Sequence, residues 1–139
     1  MRMSLMDRSL YYKGLMLLIR KDREIHDEEK RIMMAIGRTL SFDADFCENT
    51  IQEILTNKHV SDIPPHFSKP AIARCFIKDG LRVCLVDNET HEAELAWLKA
   101  VAEENRLDYN WYKTSLATAS RQSWIGIEDD LEVERLQWE

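Results

Sequence analysis

"KDREIHDEEK", Lys21 to Lys30, is answered later in the chain by "VDNETHEAEL", Val86 to Leu95. Both stretches carry the frame Asp-x-Glu-x-His-x-x-Glu. Asp22, Glu24, His26 and Glu29 therefore match Asp87, Glu89, His91 and Glu94 at a constant separation of 65 residues. The separation holds without a gap from Tyr11/Phe76 through Lys13/Lys78, Ala35/Ala100, Phe42/Leu107 and Asp43/Asp108 to Phe46/Trp111. Most identities fall on loop and cap positions, while core positions mainly keep apolar character. Two copies of one helix-loop-helix-turn-helix unit leave this trace, each unable to bury its apolar face alone. The fold class predicted is all-α, with two pseudo-repeated three-helix units in one helical domain.

The elements follow from periodicity and punctuation. A first helix is expected from Ser4 to Arg20, nearly apolar all round at "GLMLLI" and so suited to the centre of the molecule. A second, from about Asp27 to Leu40, sets Glu29, Ile32, Met33, Ile36 and Leu40 on one face. "SFDAD" ends it, and Asp43 is placed to cap a third helix reaching about Asn57. "HVSDIPPHFSKP" holds all three prolines, which deny it a continuous helix, and reads as a hinge. The second set is expected from Ala71 to Val86, from Glu92 to Asn105 and onward from a cap at Asp108. Residues 1–119 then form one domain with units at 11–57 and 76–119 and a linker at 58–70. Residues 120–139 are a further helix or an acidic tail, peripheral to the core.

Composition bounds the function. At 139 residues the chain is one domain long, and 45% hydrophobic against 32% charged residues allows a real core. Only 4 Gly and 3 Pro leave little room for the turns of an all-β protein. The net charge of −6 lies mostly in Ile127 to Glu139, where six acids face Arg135, and the rest is near neutral. No clustered basic face exists to meet a phosphate backbone, which argues against nucleic acid as partner. Cys47, Cys75 and Cys84 show neither metal-ligand spacing nor an even count, so buried free thiols in a reducing compartment are expected. The apolar run Gly14 to Ile19 is far below the ~20 residues that span a bilayer. "MRMSLMDRSL" lacks the features of a signal peptide, and a cytoplasmic location is expected.

The repeated acids admit three readings. As a helix-start device, Glu29 and Glu94 stand where the third residue of a capping box stands, and Asp27, Glu28 and Glu92 favour the exposed amides. Histidine is a poor cap, however, and capping leaves Asp22, Glu24, Asp87 and Glu89 unexplained. As a cation site, each Asp-x-Glu loop offers hard oxygen ligands to a divalent ion, Ca²⁺ or Mg²⁺ before Mn²⁺ or Zn²⁺, with the helix-initial Glu closing the site. An EF-hand is excluded, because its obligatory Gly and final Glu are replaced by Asp27 and Met33, and by Glu92 and Leu98. As a dinuclear enzyme site, His26, Glu29, His91 and Glu94 would ligate in pairs from facing helices. Carboxylate-bridged iron bundles use the reverse order in mid-helix with further core glutamates, and both features are missing. His59 and His66 flank the Pro-Pro turn as surface residues, and Trp97 and Trp111 are assigned to the core by their counterparts Ile32 and Phe46. Trp124 and Trp138 are left to dock on the body or on a partner.

At "LLIRKDREIHDEEKRIMMAIGRTLSFD" and at "DIPPHFSKPAIARCFIKDGLRVCLVDNETHEAELAWLKAVAEENRLD" the chain resembles the tellurite-resistance TerB-like family. The resemblance covers about Leu5 to Tyr112 and rests on the twice-used loop acids and the "DIPP-HFS-P-IA" linker. It implies a small all-α fold of duplicated helical units, acidic loops proposed to bind metal, and stress-associated work through protein contacts, without known catalysis. The positions it carries over are Asp22, Glu24, Glu29, Asp87, Glu89 and Glu94. Arg23 and Asn88 replace a frequent Gly, and Asn takes a left-handed backbone more readily than Arg, so the second loop is the better ligand turn. His26 and His91 replace the usual cap, adding pH-sensitive groups. The expectation is a non-enzymatic cytoplasmic module that binds a divalent cation and a protein partner. A dinuclear His/Glu enzyme and an ion-free interaction domain stand as alternatives.

Overall fold

The computed structural model describes residues 2–20, 27–56, 63–85, 92–121 and 137–138. Six helices carry the architecture: α1 (Leu5–Arg20), α2 (Asp27–Thr39), α3 (Ala44–Thr56), α4 (Pro70–Leu85), α5 (Glu92–Glu104) and α6 (Tyr109–Arg121). They have 16, 13, 13, 16, 13 and 13 residues, so every helix of the first set is matched in length 65 positions later. Two short strands, β1 (Arg2–Met3) and β2 (Gln137–Trp138), pair in parallel and bring the chain ends together.

Local chemistry repeats with the same spacing. After α2 the Ser41 amide donates to the Arg38 carbonyl at 3.0 Å and Phe42 to Gly37 at 2.9 Å. After α5 Arg106 donates to Glu103 at 3.1 Å and Leu107 to Ala102 at 2.9 Å. These are Schellman closures, which satisfy the last carbonyls of a helix by putting the next residue in the left-handed region. Ser41 (φ 67°) and Arg106 (φ 56°) occupy it, although neither is glycine. Two residues on, the Asp43 carboxylate accepts from the Phe46 amide at 2.8 Å and Asp108 from Trp111 at 3.3 Å. The turn between the second and third helix of each set is thus closed by one helix's end and the next helix's cap.

The packing centres on α1 and α4. Helix α1 packs on α2 and α3, α4 on α5 and α6, and the two meet each other. Tyr11 and its counterpart Phe76 touch edge to face across that contact, centroids 5.4 Å apart at 90°. Gly14 permits this approach, because a Cβ there would lie 2.8 Å from the Phe76 ring. Leu15, Leu18, Ile32, Met33, Ile36, Leu40, Ile72, Leu98 and Val101 are buried around the pair, as the helical spacing predicts.

Two expectations fail here. Phe46 is 48% exposed and lies outside the core, whereas Trp111 is half-buried and packs against the core as expected. Each sits on the first turn beside its capping Asp, where Phe46 stacks outward on Phe42 at 5.1 Å. Nor is the described part of the linker a free hinge. Buried Asp7 accepts from the Ser68 amide at 3.0 Å and the Ser68 hydroxyl at 2.5 Å. Buried Asn105 accepts from the Phe67 amide and donates to the Pro65 carbonyl, both at 2.8 Å. The segment Pro65 to Ser68 is therefore tied to the start of α1 and the end of α5.

Candidate functional site

The acid-bearing stretches lead directly into α2 and α5, at equivalent places in the two sets of helices. Asp22, Glu24, His26, Asp87, Glu89 and His91 lie outside the described residues, as does the Glu29 side chain. Glu94 is described, and it is 1% exposed. Its neighbour in the first turn, Glu92, is exposed, as is Asp27 at the start of α2. Glu94 thus stands on the inner face of α5, three residues before Trp97 and four before Leu98, on the stripe that faces the core. Trp97 is 7% exposed and meets Phe76 at 6.2 Å.

This burial changes what Glu94 can do. A carboxylate taken out of water must be met by a cation, a proton or hydrogen-bond donors, since ionised and unmatched it is costly. Its place at a helix N-terminus supplies one such favourable field. Among the described residues no group of three His, Cys, Asp or Glu side chains is arranged to hold a metal.

The remaining titratable candidates are placed clearly. His66 is exposed, with Nδ1 3.3 Å from the Glu104 carbonyl oxygen, which makes it a surface residue as predicted; His59 lies outside the described residues. Cys47 and Cys84 are buried and Cys75 is half-buried, all as free thiols. Burial pushes the Tyr12 hydroxyl far up, with the Cys47 thiol beside it adding to the effect. Tyr112 is pushed up to about 12, first by burial and then by Cys84 and Tyr109, and its hydroxyl donates to the Leu95 carbonyl at 3.0 Å.

Sequence reasoning missed a groove of about 320 Å³ between α5 and α6, lined by Lys99, Ala102, Glu103, Leu107, Tyr109 and Tyr112. The ammonium groups of Lys99 and Lys113 lie 5.3 and 5.4 Å from the Tyr109 ring centre. It also missed the linker clasp. Ser4-x-x-Asp7 reads as a capping box, and the Asp7 amide does bond Ser4 Oγ at 3.1 Å, but nothing local announces that Asp7 also receives Ser68.

Among the described residues no helix is long and apolar enough to cross a membrane. Comparison with protein-family models, with curated proteins and with solved structures gave no match.

Proposed function

We propose that this chain is a duplicated, TerB-like, non-enzymatic binding module whose two acid-bearing helix starts hold a divalent cation. The observation that carries the reading is that α2 and α5 stand 65 positions apart in equal lengths, and that the acidic stretches preceding them recur at the same separation in the sequence. Capping alone needs one acid near each helix start, and the shared frame keeps three in each copy, two before the helix and one in its first turn. Asp87, Glu89 and the buried Glu94 form the stronger set, with Asn88 able to turn the loop. Asp22, Glu24 and Glu29 form its counterpart. His26 and His91 add nitrogen donors where oxygen-only sites have none, so binding weakens as they protonate. Hard oxygens favour Ca²⁺ or Mg²⁺. The cation fixes the helix starts, and the module acts through protein contacts.

Chelator-treated protein titrated with Ca²⁺, Mg²⁺, Mn²⁺ and Zn²⁺ tests this by thermal melting and tryptophan fluorescence. A cation that binds only the folded chain raises Tm, and Trp97 reports it from the same face as Glu94. Asp87→Asn with Glu89→Gln should abolish the rise. Equal responses of wild type and double variant up to millimolar ion leave the acids as helix-start devices only.

A further inference from the structure

We propose that the groove between α5 and α6 is a peptide-docking site, and that its occupant is an acidic segment of a partner protein carrying one large apolar side chain. Ala102 and Tyr112 line the groove as buried residues and Leu107 as a half-buried one. Tyr109 stands at its rim, 53% exposed. The Lys99 ammonium from α5 and the Lys113 ammonium from α6 lie 5.3 and 5.4 Å from the centre of that ring. Two cations thus converge on one exposed aromatic. Among the described residues no acid stands within ion-pairing distance of either.

The first set of helices lacks all of this. At the matching positions Lys99, Tyr109 and Lys113 are Met34, Ala44 and Glu48. Glu48 is tied to Lys30 at 3.5 Å. Tyr12 and Phe42 bring aromatic volume beside Gly37 and Cys47, where the second set has the smaller Ile77 and Leu107. Helix lengths, turns and caps are shared, so the changes that open the groove and charge its rim fall together in one place. Folding has little use for them, because cations on an exposed ring add little stability. A ligand accounts for their convergence.

The occupant follows from charge and size. Two ammonium groups beside an apolar lining fit carboxylates next to one large apolar side chain. The net charge of −6 repels a polyanion such as nucleic acid or an acidic membrane, whereas a short acidic motif needs only a local match. Glu103, one turn beyond Lys99 on α5, is the acid of the lining. Ligand carboxylates therefore belong at the Lys99–Lys113 end and ligand amides toward Glu103.

This inference rests on the reading of the chain as a protein-binding module and not on its cation, so the test is run on the full chain with chelator present. Short random peptides displayed on phage are selected on wild type, and the best are labelled with fluorescein and titrated by anisotropy. Selected peptides should combine Asp or Glu with a large apolar residue. Lys99→Met, Tyr109→Ala and Lys113→Glu together copy the first set and should weaken binding about tenfold or more with the melting temperature kept. Should that triple variant melt early, Lys113→Glu alone decides. Glu103→Gln should tighten binding. Selection of peptides without acids, or equal affinity for wild type and variant, overturns the site. Lysine-dependent binding of phosphatidylserine vesicles, or lysine-dependent self-association by light scattering, in preference to the peptides overturns the occupant.

Discussion

The first three helices and the last three share lengths, turns and caps, yet they fill their interiors differently. In the first set the large aromatic comes from the leading helix: Tyr12 of α1 lies against Gly37 and Cys47. In the second set α4 offers Ile77 at the matching place, and the tyrosine comes from α6 as Tyr112, where the first set has Cys47. Glycine is required at Gly37 because a Cβ there would collide with Cys47 Sγ. Ala102 stands at the equivalent position on α5. A further exchange, Leu40 for Asn105, follows the linker. Leu40 is wholly buried, whereas Asn105 satisfies backbone groups of Pro65 and Phe67 that pass beside it. Helix lengths and the turn before the last helix of each set are thus kept while volume and polarity move between helices, as dense packing demands of any compensated change.

The largest effect expected is at Asn105. Asn105→Leu, which copies Leu40, strips partners from the Phe67 amide and the Pro65 carbonyl and should cost about 3 kcal/mol by urea unfolding. A loss below about 0.5 kcal/mol would mean that water replaces the clasp and that the two positions are interchangeable.

Gly37→Ala, which copies Ala102, overpacks the Tyr12–Cys47 contact and should cost about 1–3 kcal/mol. Adding Cys47→Ala should return part of that loss, a positive coupling in a double-mutant cycle. Strict additivity would place the strain elsewhere.

Alkaline unfolding separates the two tyrosines. Both are neutral in the fold, and in the unfolded chain they ionise near 10, the ordinary value for tyrosine. Their folded values are raised, so their contribution is complete below pH 10 and is lost as pH climbs through about 12 for Tyr112 and beyond for Tyr12. Urea midpoints between pH 8 and 11 should therefore fall less steeply for Tyr12→Phe and Tyr112→Phe than for wild type. Unchanged slopes in both variants would show that neither hydroxyl is shielded from solvent.

The smallest effect concerns the caps. Asp43→Ala and Asp108→Ala each remove one side-chain acceptor from a helix start and should cost about 1 kcal/mol. The shorter bond, 2.8 Å against 3.3 Å, makes Asp43 the larger of the two. Thermal melts that rank them in reverse would break the correspondence between bond length and cap strength.

Much of the helix map was legible because its signals are local. Asp43 and Asp108 announce the third helix of each set, and the boundaries of all six helices fall within about a turn of those read from periodicity. The spacing of Ile32, Met33 and Ile36 found a core face directly. Phe46 was misread because apolar character says nothing about which side of a first turn a residue occupies. Glu94 was read as the helix-initial residue that closes a cation site, and its burial appears only when α4 and its other neighbours are placed around α5.

What the sequence by itself determined is the all-helical class, the constant separation of 65 residues and the acid-bearing starts of α2 and α5. These depend on residues near one another in the chain, through caps, periodicity and proline. Only the tertiary structure decided that Asp7 and Asn105 hold the linker, that Tyr11 donates to the buried Asp79 at 2.7 Å, and that β2 returns to β1. Each joins groups far apart in sequence, and a buried polar atom selects its partner by position once the helices have packed.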